Sequence, residues 1–324
     1  ESGEIDIIIT AKSPIFTRDH ENSEQFCQYN GQYYIPSSSI KGMVRSVLEI
    51  MSFSKMRDEN FDDDTYAVRD LSKADNFYMS EMKKQTFGGW LKKLDGKYYI
   101  EDCSTVGRIK HTEIDKALNT QFSIYFENET FNAQDTNQKT SQYKYNLIDG
   151  KSRTIQLSEP FKSKTNAKYD NREFYHFERN GKREGELVLT GQPTPRKNSG
   201  KMGDGKGFEF LFFTSKGDVL VSKEAIENFK FAYFDKRITE PKESPDWTYW
   251  KEKLENGGKI PVFFQKNGTE IKHFGLSYLY KLPYTHSVKD GIPKSHFESE
   301  DLDLAQTIFG YISKDNKKAL KGRV

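Results

Sequence analysis

Between Tyr34 and Met51 the sequence changes from strand-like to helical, and that change constrains everything built around it. Apolar residues recur at Ile40, Met43, Val44, Val47, Leu48 and Met51, the i, i+3, i+4, i+7, i+8 spacing of one buried helical face. Pro36 stops the preceding strand, and a serine among Ser37, Ser38 and Ser39 can cap the helix by accepting backbone N–H groups of its first turn. Lys41 and Arg45 stand four apart, so both project from one polar side of the first two turns. Hydroxyls, N–H groups, the positive end of the helix dipole and two cations then point one way. This is how a chain binds an anion, phosphate above all. An ordinary capped amphipathic helix with solvated cations fits the same spacing.

The 324 residues can bury a good core, as one large or two ordinary domains. A hydrophobic share of 35% with 14% aromatics is globular. No apolar run approaches the roughly 18 residues a membrane span requires. Cys27 and Cys103 are too few for a disulfide framework or a four-cysteine zinc site, which fits a reducing cytoplasm. The opening Glu1-Ser2-Gly3 has neither a methionine nor a signal peptide, and reads as a start other than the native one.

A net charge of +2 says little about partners; its distribution says more. Acids dominate residues 57–75, where Asp62-Asp63-Asp64 forms a run, more simply a solvated loop than a metal site. Bases dominate 162–183 and the end of the chain from Ser313. Basic segments interleaved with Tyr and Phe suit nucleic acid, because cations follow phosphates and rings stack on bases. Solvated loops account for any one such segment equally simply.

Along the chain, Glu4–Thr10 alternates with Ile5, Ile7 and Ile9 on one side, which predicts a strand. Residues 12–31 read as irregular, and Gln32–Ile35 as a short strand. A hairpin is predicted from Gly88–Leu91 through Asp95-Gly96 to Lys97–Glu101, and another over Lys259–Gln265 and Glu270–Phe274 around Asn267-Gly268. Gly185–Gly191 and Glu209–Thr214 read as strands. Glu224–Lys230, Asp246–Asn256 and Asp301–Tyr311 read as helices. Residues 132–150 and the glycine-rich 198–207 read as loops. Strands and helices without strict alternation argue for an α+β fold. None of the six histidines sits in an HExxH motif or near a cysteine at ligand spacing, and no Walker loop, GxSxG or Rossmann fingerprint is present. Trp90, Trp247 and Trp250 are expected in the core or an interface.

At Pro36-Ser37-Ser38-Ser39-Ile40-Lys41-Gly42-Met43-Val44-Arg45 the chain resembles the RAMP superfamily, the RNA-binding subunits of CRISPR effector complexes. Members carry a Pro-Gly-Ser-Ser-φ-Lys-Gly-x-φ-Arg turn-helix after a strand; here Ser37 stands where glycine is usual. Gly185–Gln192, Gly275–Tyr284, Asp303–Tyr311 and Ala319–Val324 look like a type III branch of the superfamily with several RAMP units. The resemblance covers most of the chain, with gaps at about 52–85 and 120–180.

The resemblance implies a ferredoxin-like (RRM-like) βαββαβ core with long insertions. Residues 1–191 would hold that core, and 192–324 its continuation towards a second RAMP unit in a longer protein. It implies a backbone subunit that binds guide RNA and positions target RNA beside sister RAMP subunits and a large type III signature subunit. The RNA-binding residues would be Ser37, Ser38, Ser39, Lys41 and Arg45. In cleaving members an acid in the loop before the turn-helix cuts target RNA with a divalent metal. Here the candidates are Asp19 and Glu21, with His20 between them the one histidine placed to act as acid or base. Mg2+ enters only if the unit cleaves. A structural protein docking acidic partners through its basic stripes remains the reading without nucleic acid.

Overall fold

The computed structural model describes residues 6–21, 24–55, 67–127, 130–132, 134–162, 172–196, 205–238, 241–284, 286, 289–299, 301–312 and 318–322. The chain divides into two compact units, Glu1–Asp63 with Val288–Val324, and Asp64–Ser287.

The larger unit is built on two sheets. In the six-stranded sheet the order is Thr154–Leu157, Arg183–Val188, Phe208–Phe212, Gly107–Lys110, Glu173–Tyr175 and Phe161–Lys162. Every neighbouring pair is antiparallel except Gly107–Lys110 with Glu173–Tyr175. In the five-stranded sheet the order is Asp218–Leu220, Lys97–Thr105, Phe87–Leu94, Ile260–Asn267 and Glu270–Gly275, antiparallel throughout. The mixture of sheets and helices is α+β, as the unalternated pattern predicts.

Both predicted hairpins form. Asp95 (φ 48°) and Gly96 (φ 76°) take the left-handed backbone that matches a two-residue turn to strand twist. Leu91, Ile100, Ile109, Leu187, Leu211, Ile260, Val262 and Phe264 belong to one buried cluster. Each such side chain contributes about 1.5–3 kcal/mol by leaving water. Helices Lys223–Ala232 and Pro245–Glu255 add Phe229, Trp247, Trp250 and Leu254 to it. All three tryptophans are buried, as expected, with Trp90 edge-on to Phe212 at 5.4 Å. Residues on both sides of position 191 share this core.

Several expectations are corrected. Residues 6–10 form no strand, and Ile7, Ile8 and Ile9 are exposed; alternation gives a strand only where a neighbour completes the ladder. The 132–150 segment is not all loop, since Thr140 caps a helix over Ser141–Leu147 by accepting from the N–H of Tyr143. The last predicted helix is only Leu304–Phe309, started by an Asp303–Gln306 capping box and ended by Gly310 at φ 83°. The 62–64 acidic run, most of the 198–207 connector and much of both basic stretches lie outside the described residues.

In the smaller unit the helix Ser37–Met51 packs beside Leu304–Phe309, which in turn packs on the strand pair Gly310–Ile312 with Ala319–Lys321. Ile40, Val44 and Leu48 are half-buried, whereas Met43, Val47 and Met51 are exposed. A partner helix of fewer than two turns covers only part of a four-turn apolar stripe.

Candidate nucleic-acid interface

The helix Ser37–Met51 starts one residue earlier than a serine cap requires. Pro36 (φ −55°, ψ 138°) occupies the cap position, and its carbonyl accepts from the N–H groups of Ser39 at 2.9 Å and Ile40 at 3.2 Å. No side chain caps this end, so the expected serine cap is corrected. Proline's fixed φ suits the cap backbone but offers no side-chain acceptor. Ser37, Ser38 and Ser39 instead make up the first turn and are all exposed. Among the described residues the N–H groups of Ser37 and Ser38 have no partner, as expected at a helix start without a cap.

Lys41 is exposed on the second turn. Arg45 is not its equal. Its Nε donates to Glu49 Oε1 at 2.8 Å, and Nη1 donates to the Gly310 carbonyl at 3.3 Å. Arg45 and Glu49 line a cavity of about 510 Å3 with Lys55, Asp303 and Gln306. Lys55 Nζ there donates to Ser299 Oγ at 3.1 Å and to the Asp301 carbonyl. The two cations that share a face in sequence thus differ in surroundings: one turn on from Arg45 stands an acid, Glu49, and one turn on from Lys41 stands another cation, Arg45.

Just before the turn, the chain makes a hairpin of Gln28–Tyr29 with Gln32–Tyr33. Asn30 (φ 48°) and Gly31 (φ 78°) turn it. Tyr29 and Tyr33 are each 74% exposed, and Phe26 packs edge-on to Tyr33 at 5.6 Å. Sequence reading passed over this hairpin, although Asn30-Gly31 signals it. Exposed rings beside an uncapped helix start are what single-stranded bases stack on.

The loop carrying the candidate acids is closed by Arg18 pairing with Phe26 and by the Asp19 N–H donating to the Gln25 carbonyl at 3.0 Å. Asp19 Oδ1 accepts from the Glu21 N–H at 2.9 Å, a turn that ties the Glu21 backbone to the Asp19 carboxylate. His20 and Glu21 are exposed and Asp19 is half-buried. Among the described residues no three His, Cys, Asp or Glu side chains gather as a metal site. Mg2+ takes one or two acids with phosphates and water completing its shell, and the acids this loop offers are the exposed Glu21 and the half-buried Asp19.

The larger unit holds a polar cluster that sequence reading missed. Glu209, fully buried, accepts from His111 Nε2 at 3.0 Å, from Lys206 Nζ at 2.6 Å and from the Thr190 N–H at 3.0 Å. Its fourth partner is Lys144 Nζ, which also donates to Gln192 Oε1 at 2.7 Å and lies over the Phe126 ring. Burial alone would raise the Glu209 carboxyl, but the two ammoniums outweigh it and hold Glu209 well below the usual range. Burial pulls Lys144 down against the pull of Glu209. Burial also lowers His111 to about 4, so its ring is neutral, and its Nδ1 has no partner among the described residues.

A family model of the RAMP superfamily matches residues 8–253, which span the acid loop, the turn-helix and most of the larger unit. The chain belongs to the RAMP superfamily. Membership carries a CRISPR-associated, RNA-binding role, with CRISPR RNA and other CRISPR-associated proteins as partners. No curated protein matches the chain. No helix among the described residues is long and apolar enough to cross a membrane.

Proposed function

We propose that this RAMP protein is a guide-RNA-binding backbone subunit of a type III CRISPR effector complex, working in the cytoplasm with target RNA, sister RAMP subunits and a large signature subunit. In this reading the α+β architecture is an elaborated ferredoxin-like core. The observation that carries it is the uncapped helix start at Ser37, with three exposed serines and Lys41 beside it, directly after the tyrosine hairpin. Unbonded N–H groups and the dipole take a phosphate, hydroxyls take its remaining oxygens, and the rings take a base. Such contacts hold the sugar-phosphate strand in place without reading its sequence, which suits a subunit that must accept any guide.

The test is whether the purified protein carries RNA, seen as excess absorbance at 260 nm and sized on a gel. Bound RNA that salt releases supports the reading; protein free of RNA that also fails to bind an added oligonucleotide at low salt overturns it.

A second reading, cleavage of target RNA at Asp19 and Glu21, rests on the closed loop that carries both acids, its turn fixed by the Glu21 N–H on Asp19 Oδ1. When bound, Mg2+ would stabilise charge on the attacked phosphate. The chain's own part is to present the two acids on one closed loop.

A further inference from the structure

Beside the Glu209 cluster, the larger unit has a cleft of about 550 Å3, within the size of small-ligand sites. Among the described residues six cations line it: Arg69, Arg108, Lys139, Arg172, Lys206 and Lys281. The one lining acid among them is Asp246, which already accepts from the N–H and Oγ of Ser141, both at 2.7 Å. Lys206 is balanced by Glu209.

Arg108 is the anomaly. The residue is 3% exposed, and its guanidinium is met by the Tyr278 side chain and by a long bond from Nη1 to the Val106 carbonyl at 3.4 Å, both neutral groups. The guanidinium lies 4.7 Å over the Tyr278 ring and 5.7 Å from that of Phe210. Among the described residues no carboxylate lies within ion-pair distance of Arg108 or of Lys281. Burial disfavours the Arg108 charge most, and Arg172 is a like charge nearby. A buried cation without a counter-charge is expensive and is kept where something outside the fold supplies that charge.

The rings say what kind of anion. Phe210 and Tyr278 are stacked, with planes 13° apart and centroids 5.6 Å apart, and Phe208 packs edge-on to Phe210 at 5.8 Å. An aromatic wall beside several cations, in a cleft larger than one phosphate needs, matches a phosphate ester that carries a planar ring. Gly191 on the lining has no room for a side chain, since a Cβ there would lie 2.7 Å from the Lys139 carbonyl.

We infer that this cleft receives one nucleotide of a single-stranded RNA, its phosphate on Arg108 and its base along the Phe208–Tyr278 wall. The inference rests on the RNA-binding reading above but assigns a different site, in the other unit. Lys206 is a positioning residue here, fixed by Glu209 and by Thr190 Oγ1 at 2.6 Å.

The test uses the full chain freed of RNA, with a fluorescent ten-nucleotide oligoadenylate as probe and adenosine monophosphate as the free-nucleotide arm. Arg108→Met should weaken oligonucleotide binding about tenfold, as loss of a charged hydrogen bond does, and flatten the salt dependence by roughly 0.7 for the one phosphate it no longer holds. It should also raise the thermal midpoint, because an apolar chain of similar shape replaces an unbalanced buried charge. Lys281→Met, at a less buried position, should weaken binding in the same direction. A lower midpoint with unchanged affinity in both variants would make Arg108 purely structural and overturn the inference. Tight binding of adenosine monophosphate by the wild type, lost in Arg108→Met while oligonucleotide affinity stays put, would overturn the RNA assignment in favour of a free nucleotide. The Lys41→Ala variant separates the two readings: if it loses RNA binding and Arg108→Met does not, the turn-helix reading stands and this one falls.

Discussion

Lys206 Nζ lies 2.6 Å from Glu209 Oε2, while the other oxygen of the same carboxylate is held by Lys144 and His111. One fully buried acid therefore ties a cleft-lining lysine to a lysine that never meets solvent. The bridge from core to cleft makes Glu209 the residue whose loss is felt in both.

Glu209→Gln keeps the shape but leaves the buried Lys144 without a counter-charge. Breaking a buried pair from one side costs about 3–5 kcal/mol. Urea denaturation should show that loss, and adding Lys144→Met should recover much of it, because the pair is then removed together. Additive losses in the double variant would mean the two residues do not act as a unit.

Stability should fall as pH drops from about 6.5 to about 4. His111 and His273 are both lowered to about 4 by burial, so the unfolded chain binds protons in that window and the folded chain does not. Each contributes about 3 kcal/mol that is fully present above its unfolded pKa and progressively lost below it. Thermal midpoints across this range for wild type and His111→Phe should diverge in slope; parallel profiles would show that His111 titrates normally.

Arg45 is paired with Glu49 one turn along the same helix. If Arg45 reaches a guide phosphate, Glu49→Gln should free it and tighten RNA binding about twofold, the scale of an exposed helical ion pair. Lys41→Ala should weaken binding regardless of guide sequence, since a phosphate contact does not read bases. Filter binding at two salt concentrations reads both effects, and an unchanged Lys41→Ala affinity would remove the helix start from the interface.

Replacing Asp19 and Glu21 together with Ala should abolish Mg2+-dependent cutting of a complementary target in the assembled complex, while guide binding stays intact. Full cutting by the double variant would leave only the binding role for this loop. Asp19→Asn should retain partial activity, because its oxygen can still accept from the Glu21 N–H and hold the turn.

Local pattern was enough for what lies within a few residues. The hairpin at Asp95-Gly96 and the helices from Ser37, Lys223 and Pro245 follow from periodicity and turn residues, because their hydrogen bonds close between near neighbours. The Pro36–Arg45 segment likewise led to the superfamily that the chain belongs to. The strand expected over residues 4–10 shows the limit of such patterns, since alternation cannot say whether a partner strand exists.

What only the tertiary structure decided is which distant groups share a site. Glu209 meets Lys144 across 65 positions and His111 across 98, and Arg45 meets Gly310 across 265. No local signal marks those pairs, because the packing of distant segments sets them. Phe208–Phe212 lies between Gly107–Lys110 and Arg183–Val188, and that placement brings Glu209 beside Thr190 and His111. The sequence by itself determined that a helix follows the Pro36 turn with Lys41 and Arg45 four apart on it; only the packed fold decided that Arg45 is paired with Glu49 and that Arg108 is buried with no carboxylate in ion-pair distance among the described residues.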